Sequence, residues 1–253
     1  FTRKLPDSAD KESPMKNLKA WRLLFFPVVL ALLAACVAQH RPPAPGEKIT
    51  QEKMETADQV LLVKEERFLF WTSHDVYALE KQNGAWKEVF DLMPAVIGRN
   101  GFAPPGEKRE GDGRTPSGRY RMGTAFGYAE SVATRMPYRQ AKTDDLWVDD
   151  AQAPDYNRWV KRGETKASSY EIMKRDDDQY KYGLVIEYNT APVIPGYGSA
   201  VFLHVWKKPG WPTAGCVAVS EDDLLKILGW LNPARAPIIL INPDKNETGG
   251  LLP

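Results

Sequence analysis

Short apolar runs rich in β-branched and aromatic residues recur along the chain from residue 58 onwards. Segments 59–63, 67–72 and 76–80 have the composition of strands. Asn83-Gly84 then predicts a tight hairpin turn into a fourth strand over 86–92. Further along, continuous apolar runs predict buried strands at 184–186, 200–203, 217–219 and 238–241.

One helix is predicted directly after the run at 217–219. Ser220 and Asp223 form a capping box, and acidic residues at 221–223 place negative charge at the positive end of the helix dipole. Its apolar face is made of Leu224, Leu225, Ile227 and Leu228. The pattern as a whole predicts a mainly β fold with few helices.

The segment 128–182 is an irregular insertion that lacks the period of a strand or a helix. It mixes aromatic residues with the acidic pairs Asp144-Asp145 and Asp149-Asp150. A long aperiodic stretch inside a compact domain is usually functional or mobile. Two interpretations stay open: a cap that grips a polar polymer over an active site, or a solvated surface insertion packed by its own tryptophans.

The N-terminal region has the basic, apolar and small-residue order of a secretory signal over 15–35. Its apolar run, 23–33, is short for a membrane span. Leu33-Ala34-Ala35-Cys36 resembles the lipobox of bacterial lipoproteins, which predicts lipidation of Cys36. A signal peptide cut near Ala35 and an uncleaved anchor are the alternatives. Residues 1–14 are interpreted as an upstream extension.

The remaining chain divides into a proline-rich tether at 36–57, a folded domain at 58–245 and a tail at 246–253. Six Lys/Arg and three Asp/Glu lie in 1–35, so the other 218 residues carry a net charge of −2. Without a basic excess, nucleic acid is not an expected partner. The three histidines form no cluster of metal ligands in the sequence, so neither a metal nor a cofactor is expected.

Cys216 is the only cysteine apart from the predicted lipidation site Cys36, so an intramolecular disulfide is not expected to explain it. Upstream, strand alternation puts His204 and Phe202 on one face, with the imidazole at the end of a buried strand. An imidazole that accepts the proton of a thiol makes a thiolate available as a nucleophile. A core histidine bonded to backbone is the alternative for His204 alone. The pairing with a lone exported thiol favours a catalytic pair.

The run Thr213-Ala214-Gly215-Cys216 surrounds this cysteine. A glycine lets the backbone approach a substrate closely and take conformations that other residues resist. The amides of Gly215 and Cys216 are therefore predicted donors to an oxyanion. The loop between His204 and Cys216 contains Trp206 and Trp211 and is able to bring the two ends together.

These residues resemble the signature of the L,D-transpeptidases of the YkuD type, which remodel bacterial peptidoglycan. That signature is a histidine at a strand end, a loop, and then Ser/Thr-His-Gly-Cys, matched here by His204, Thr213, Gly215 and Cys216. Upstream, 98–101 and 115–118 are similar to the opening segment of that domain, and 109–116 is similar to one subgroup of it. The resemblance covers roughly 89–241 and implies a YkuD-like β-sandwich or open barrel.

The chain departs from the family pattern at three points. Ala214 stands where most members have histidine, Ala218 where many have arginine, and the loop before Cys216 is shorter than usual. The resemblance implies that Cys216 is the nucleophile, that His204 is the general base oriented by a carbonyl near Val205, and that the Gly215 backbone forms the oxyanion hole. The substrate-binding residues that it implies are Thr213, Ala214, Trp206, Trp211 and Arg99.

The implied activity is acyl transfer from a tetrapeptide stem through a cysteinyl thioester, with D-alanine leaving. A second stem as acceptor gives a 3-3 crosslink, a lipoprotein lysine gives attachment, and water gives hydrolysis. Two other functions stay open: a peptidoglycan hydrolase, either L,D-carboxypeptidase or amidase, and a non-catalytic wall-binding lipoprotein. The expected partners are peptidoglycan stem peptides and, through the lipid anchor, a membrane. The expected location is the bacterial cell envelope, facing the periplasm.

Overall fold

Eight strands close into a barrel in the computed structural model of this chain, which describes residues 57–67, 69–244, 248 and 251. The described residues belong to one compact unit. The predicted extension, signal and tether lie outside the described residues except for Ala57. The predicted lipidation site, Cys36, is therefore also outside them.

The regular elements follow one another in a mainly β order. The strands are β1 Gln59–Arg67, β2 Thr72–Gln82, β3 Ala85–Glu88, β4 Met93–Val96, β5 Phe102–Ala103, β6 Thr115–Pro116, β7 Gly118–Gly127, β8 Tyr138–Gln140, β9 Asp145–Val148, β10 Trp159–Lys161, β11 Tyr170–Ile172, β12 Tyr182–Ile186, β13 Phe202–Val205, β14 Val217–Val219 and β15 Ile238–Ile241. The α-helix is α1 Glu221–Trp230, and single 3₁₀ turns lie at Asp178–Tyr180 and Pro233–Arg235.

The barrel runs in the order β1-β15-β7-β12-β13-β14-β4-β2, and β2 pairs back onto β1. The pairs β1–β15 and β13–β14 are parallel, whereas the other neighbours around the barrel are antiparallel. Closure leaves none of these eight strands as an open sheet edge. The main core is lined by alternate residues of the strands, among them Leu61, Val76, Leu184 and Leu203.

The local sequence signals hold for most of these elements. Asn83 and Gly84 have the positive φ angles that a tight hairpin turn requires, and they join β2 to β3. The Ser220 hydroxyl accepts the Asp223 N–H over 3.1 Å, which confirms the predicted helix cap. On α1, Leu224, Ile227 and Leu228 are buried, whereas Leu225 is only partly buried.

The strand predicted at 67–72 is wrong. Arg67 ends β1 and Thr72 begins β2, and the two residues pair at the end of the hairpin. Leu69 and Phe70, which lie between these two residues, are 93% and 90% exposed. Their apolar side chains led to the prediction of a strand, although the chain reverses direction between β1 and β2.

Part of the insertion at 128–182 folds as a small sheet in the order β10-β9-β11, whereas β8 pairs with β7 of the barrel. Trp147 and Trp159 pack edge-to-face against each other, and they contact Phe202 and Phe126 respectively in the barrel wall. The tryptophans thus pack on the barrel as well as within the insertion. This face of the barrel carries Cys216.

Candidate active site

His204 and Cys216 lie on one face of the neighbouring parallel strands β13 and β14. His204 pairs with Ala218, and Cys216 is two positions before Ala218. Side chains two positions apart on a strand share a face. Phe202 and Cys216 accordingly belong to one buried cluster, whereas Leu203 and Val217 belong to the main core. The strand alternation predicted around His204 is confirmed.

The thiol of Cys216 is enclosed by protein. The residue is 8% exposed, and the insertion residues Trp147, Met173 and Tyr180 belong to the same buried cluster. Its sulfur accepts the N–H of Phe202 over 3.4 Å and donates to the carbonyl of Ala200 over 3.3 Å. Burial raises the pKa of the thiol to about 12, so the sulfur is protonated at neutral pH in this arrangement.

The imidazole of His204 is equally enclosed. Its Nδ1 lies 2.8 Å from the carbonyl oxygen of Val205, and the ring of Tyr180 packs edge-on at 5.3 Å. Burial lowers the pKa of His204 to about 4, although hydrogen bonding to the Val205 backbone opposes this shift. Because a carbonyl can only accept, Nδ1 carries the proton of the neutral ring and Nε2 is left as the basic nitrogen. The predicted contact between the ring and the Val205 carbonyl is confirmed.

A hydroxyl network holds the backbone at Cys216. Thr213 Oγ1 donates to the Cys216 carbonyl over 2.7 Å and accepts the Gly215 N–H over 3.1 Å. Thr115 Oγ1 donates to the same carbonyl over 3.1 Å and accepts the Gly98 N–H over 2.9 Å. The Gly215 N–H, predicted as an oxyanion donor, therefore already has an acceptor here.

Gly215 has a backbone conformation that favours glycine. Its φ is +154°, and a β-carbon at this position would lie 3.0 Å from the Arg114 carbonyl oxygen. It would also lie 3.6 Å from Lys108 Nζ. The strands β5 and β6 and the loop between them therefore pack directly against the turn that presents Cys216.

A family model described as YkuD, the L,D-transpeptidase catalytic domain, matches residues 62–240. The chain belongs to this family. No curated protein and no solved structure matches the chain. The resemblance inferred from the motif residues and the mainly β, YkuD-like fold are both confirmed. The matched region begins in β1, earlier than the boundary near residue 89 inferred from the motifs.

YkuD domains are those of L,D-transpeptidase-type peptidoglycan enzymes, which act on stem peptides and are typically cell-wall enzymes. Within the described part of the chain, no His, Cys, Asp and Glu side chains group as a metal site would require. Over the same residues, no helix has the length and apolar character needed to cross a membrane.

The other predicted substrate contacts of this YkuD domain lie on loops beside Cys216. Ala214 and Arg99 are exposed, Trp206 is half-buried, and Trp211 is 47% exposed with the Lys207 and Lys208 ammonium groups 4.8 Å from its ring centroid. The Arg99 N–H donates to the Thr213 carbonyl over 3.0 Å, which ties the two loops together. The Thr213 side chain is instead engaged in the turn itself.

Several charged residues near this site carry no local sequence signal. Glu110 accepts hydroxyl hydrogen bonds from Tyr156 over 2.5 Å and from Ser199 over 2.6 Å, which links the insertion to the barrel. In the insertion, Arg175 forms ion pairs with Glu171 and Asp177, and burial raises the pKa of Glu171. The partners of Glu110 are distant in sequence, so no local motif could have identified this residue.

Proposed function

We propose that this protein is a peptidoglycan L,D-transpeptidase that acts on tetrapeptide stems through a thioester at Cys216. The observation that carries the proposal is the placement of His204 and Cys216 on one face of β13 and β14, within a matched YkuD domain. A nucleophile and a base on adjacent strands, with the base oriented by a third group, form the arrangement that covalent acyl transfer uses.

The chemistry begins with transfer of the Cys216 proton to His204 Nε2. The Val205 carbonyl holds Nδ1–H, so the ring presents its basic nitrogen and gains a stabilised charge when protonated. The thiolate attacks the carbonyl before the terminal D-alanine, and the carbonyl oxygen becomes an oxyanion. The carbon–nitrogen bond then breaks, His204 returns the proton to the departing amine, and the acyl group remains on sulfur. An amine of a second stem attacks this thioester, the carbon–sulfur bond breaks, and the proton that the amine loses passes through His204 to the sulfur of Cys216.

The insertion has to move before this reaction can start. Because burial raises the pKa of the thiol and lowers that of the imidazole, proton transfer between them is strongly uphill in this arrangement, before the attraction between the two charges is counted. Admitting water or substrate beside Tyr180 removes much of the burial that causes both shifts. We infer that the insertion acts as a cap over the site, the first of the two interpretations of this segment.

A hydrolase on the same scaffold is the second candidate, and the enclosure of Cys216 favours it. Cys216, which carries the thiol, is only 8% exposed. Water enters such an enclosed site more readily than the amine of a second stem peptide does. An L,D-carboxypeptidase or an amidase would form the same thioester and resolve it with water.

The test is digestion of peptidoglycan sacculi after incubation with purified protein, followed by separation of the muropeptides. A transpeptidase gives 3-3 crosslinked dimers, and a hydrolase gives trimmed or freed stems without dimers. The Cys216→Ala variant abolishes both products if the thiol is the nucleophile. Sacculus binding that is indifferent to this substitution, with no product from the wild type, contradicts the proposal and identifies a wall-binding lipoprotein.

We also propose that Cys36 is lipidated and anchors the protein in the cell envelope, facing the periplasm. The support is the resemblance of residues 33–36 to a lipobox. Fractionation of cells that express the full chain tests it. The Cys36→Ala variant leaves the membrane fraction if lipid holds the protein, whereas unchanged membrane retention indicates an uncleaved anchor.

A further inference from the structure

Lys108 is a buried cation beside the turn that presents Cys216. The residue is 4% exposed and lies in the loop between β5 and β6. Its Nζ is 3.6 Å from the position that a β-carbon at Gly215 would occupy, and its Cε is 3.0 Å from the corresponding position at Gly198. Glycine at both positions therefore leaves room for the lysine side chain.

Two hydrogen-bond acceptors hold the ammonium of Lys108 in place. Nζ donates to Asp112 Oδ1 over 2.6 Å and to the Arg109 carbonyl over 3.0 Å. Asp112 also accepts the N–H groups of Arg109 and Arg114, over 2.7 and 2.8 Å. Burial alone would raise the pKa of Asp112, but these hydrogen bonds outweigh it and the pKa is lowered. Asp112 therefore stays charged beside the lysine.

Burying an ion pair is expensive, and such a pair is weak evidence for stability alone. An ammonium has three N–H bonds, of which two have the acceptors just described. The nitrogen that carries the positive charge lies 3.6 Å from the position of a β-carbon at Gly215. Of the two amides predicted to bind an oxyanion, that of Gly215 already donates to Thr213, so a cation beside this turn would add to what the Cys216 N–H supplies.

We propose that the Lys108 ammonium stabilises the oxyanion that forms on the substrate carbonyl when Cys216 attacks it. This role rests on the proposed function and adds a catalytic residue to it. The positive charge is fixed in advance by Asp112 and lies in a poorly solvated site, where it interacts strongly with a developing negative charge. The sulfur reacts and His204 moves the proton, while Lys108 keeps its own proton throughout.

The test compares two reactions of Cys216 that both need the thiolate, of which only one forms an oxyanion. Acylation is followed as release of D-alanine from a synthetic tetrapeptide stem, and alkylation by iodoacetamide is followed by intact mass. The ratio of the two rates at one pH cancels the thiolate population. Loss of one oxyanion donor lowers acylation by about 100-fold or more. In Lys108→Met we expect the ratio to fall by that factor, whereas exposed Lys87→Met leaves it unchanged.

A second variant covers the case in which Lys108→Met leaves Asp112 buried and unpaired and does not fold. The double variant Lys108→Met/Asp112→Asn removes both charges of the pair, and thermal denaturation reports whether it is folded. An unchanged ratio in a folded variant that still releases D-alanine overturns the role of Lys108 and leaves the proposed function intact. A wild-type protein that is alkylated but never releases D-alanine overturns the proposed function, and the role of Lys108 with it.

Discussion

The hydroxyl of Thr213 donates to the carbonyl of Cys216 over 2.7 Å, within the turn that presents the thiol. The same oxygen accepts the N–H of Gly215, so that one side chain fixes the backbone on both sides of the peptide before Cys216. The family resemblance gave Thr213 a contact with substrate. The geometry supports a positioning role, in which Thr213 acts through Cys216 and Gly215.

Replacing Thr213 with valine should loosen this turn, whereas serine keeps the hydroxyl. Loss of two hydrogen bonds in a partly buried turn costs about 1–3 kcal/mol in the free energy of unfolding. We expect Thr213→Val to lose this stability, measured by urea denaturation, and to release D-alanine more slowly with an unchanged KM. Thr213→Ser should stay close to wild type in both measurements. A Thr213→Val variant altered only in KM would instead indicate a substrate contact.

Tyr180 should control access to the thiol because its ring covers His204 and contacts Phe202. Removing it in Tyr180→Ala admits water and lowers the pKa of Cys216 from about 12, and each unit of that change raises the thiolate population at neutral pH tenfold. Alkylation by iodoacetamide should therefore be at least about 10-fold faster. Tyr170→Ala, an exposed tyrosine of the same insertion, is the control. Equal alkylation rates in both variants would contradict a cap that closes over the thiol.

Burial of neutral His204 should make the protein sensitive to acid. Its pKa is depressed to about 4, so the unfolded chain takes up the proton first as the pH falls. The buried neutral ring of His204 contributes roughly 3 kcal/mol to the free energy of unfolding. This contribution is fully present above pH 6.5 and is lost as the pH falls from 6.5 to 4. His204→Gln removes this titration. Urea denaturation curves measured from pH 8 to 4 should show a shallower loss in the variant below pH 6.5 and parallel behaviour above it. Parallel curves throughout would show that His204 is not buried as a neutral ring.

Gly215→Ala tests the close approach of the backbone at the site. The new β-carbon would meet the Arg114 carbonyl oxygen at 3.0 Å and would need a φ of +154°. Strain of this kind costs about 1–3 kcal/mol. Gly210→Ala is a matched control, since Gly210 also has positive φ but no atom within 4 Å of its β-carbon position. We expect Gly215→Ala to be the more destabilised in thermal denaturation and to lose D-alanine release. Equal losses of stability would mean that the contact with Arg114 is unimportant.

Local sequence signals were sufficient to predict the strands, turns and helix ends that depend on residues close together in the chain. Hydrophobic alternation located β13, the dipeptide Asn83-Gly84 located a hairpin, and the Ser220 cap located the start of α1. The strand β7 was missed because glycine and polar residues interrupt its apolar positions. The strands of the insertion were missed because the surface on which they pack belongs to the barrel, which is distant in sequence.

The candidate site likewise has some features that local sequence predicts and others that it does not. The motif was sufficient to single out His204 and Cys216 as candidates, because their residue types and their positions, within β13 and directly before β14, are local properties. The hydrogen bond from Thr115 to the Cys216 carbonyl spans 101 positions, and the burial of Lys108 depends on the same contact between segments. Such relationships arise only when the barrel closes.

The thioester itself is the most direct test of the account. Wild-type protein is mixed with a synthetic tetrapeptide stem without an acyl acceptor, quenched in acid, and analysed by intact mass and peptide mapping. We expect an added mass equal to the stem minus D-alanine, located on Cys216 and absent in Cys216→Ala. D-alanine release that continues in Cys216→Ala, or an adduct on any other residue, would contradict it.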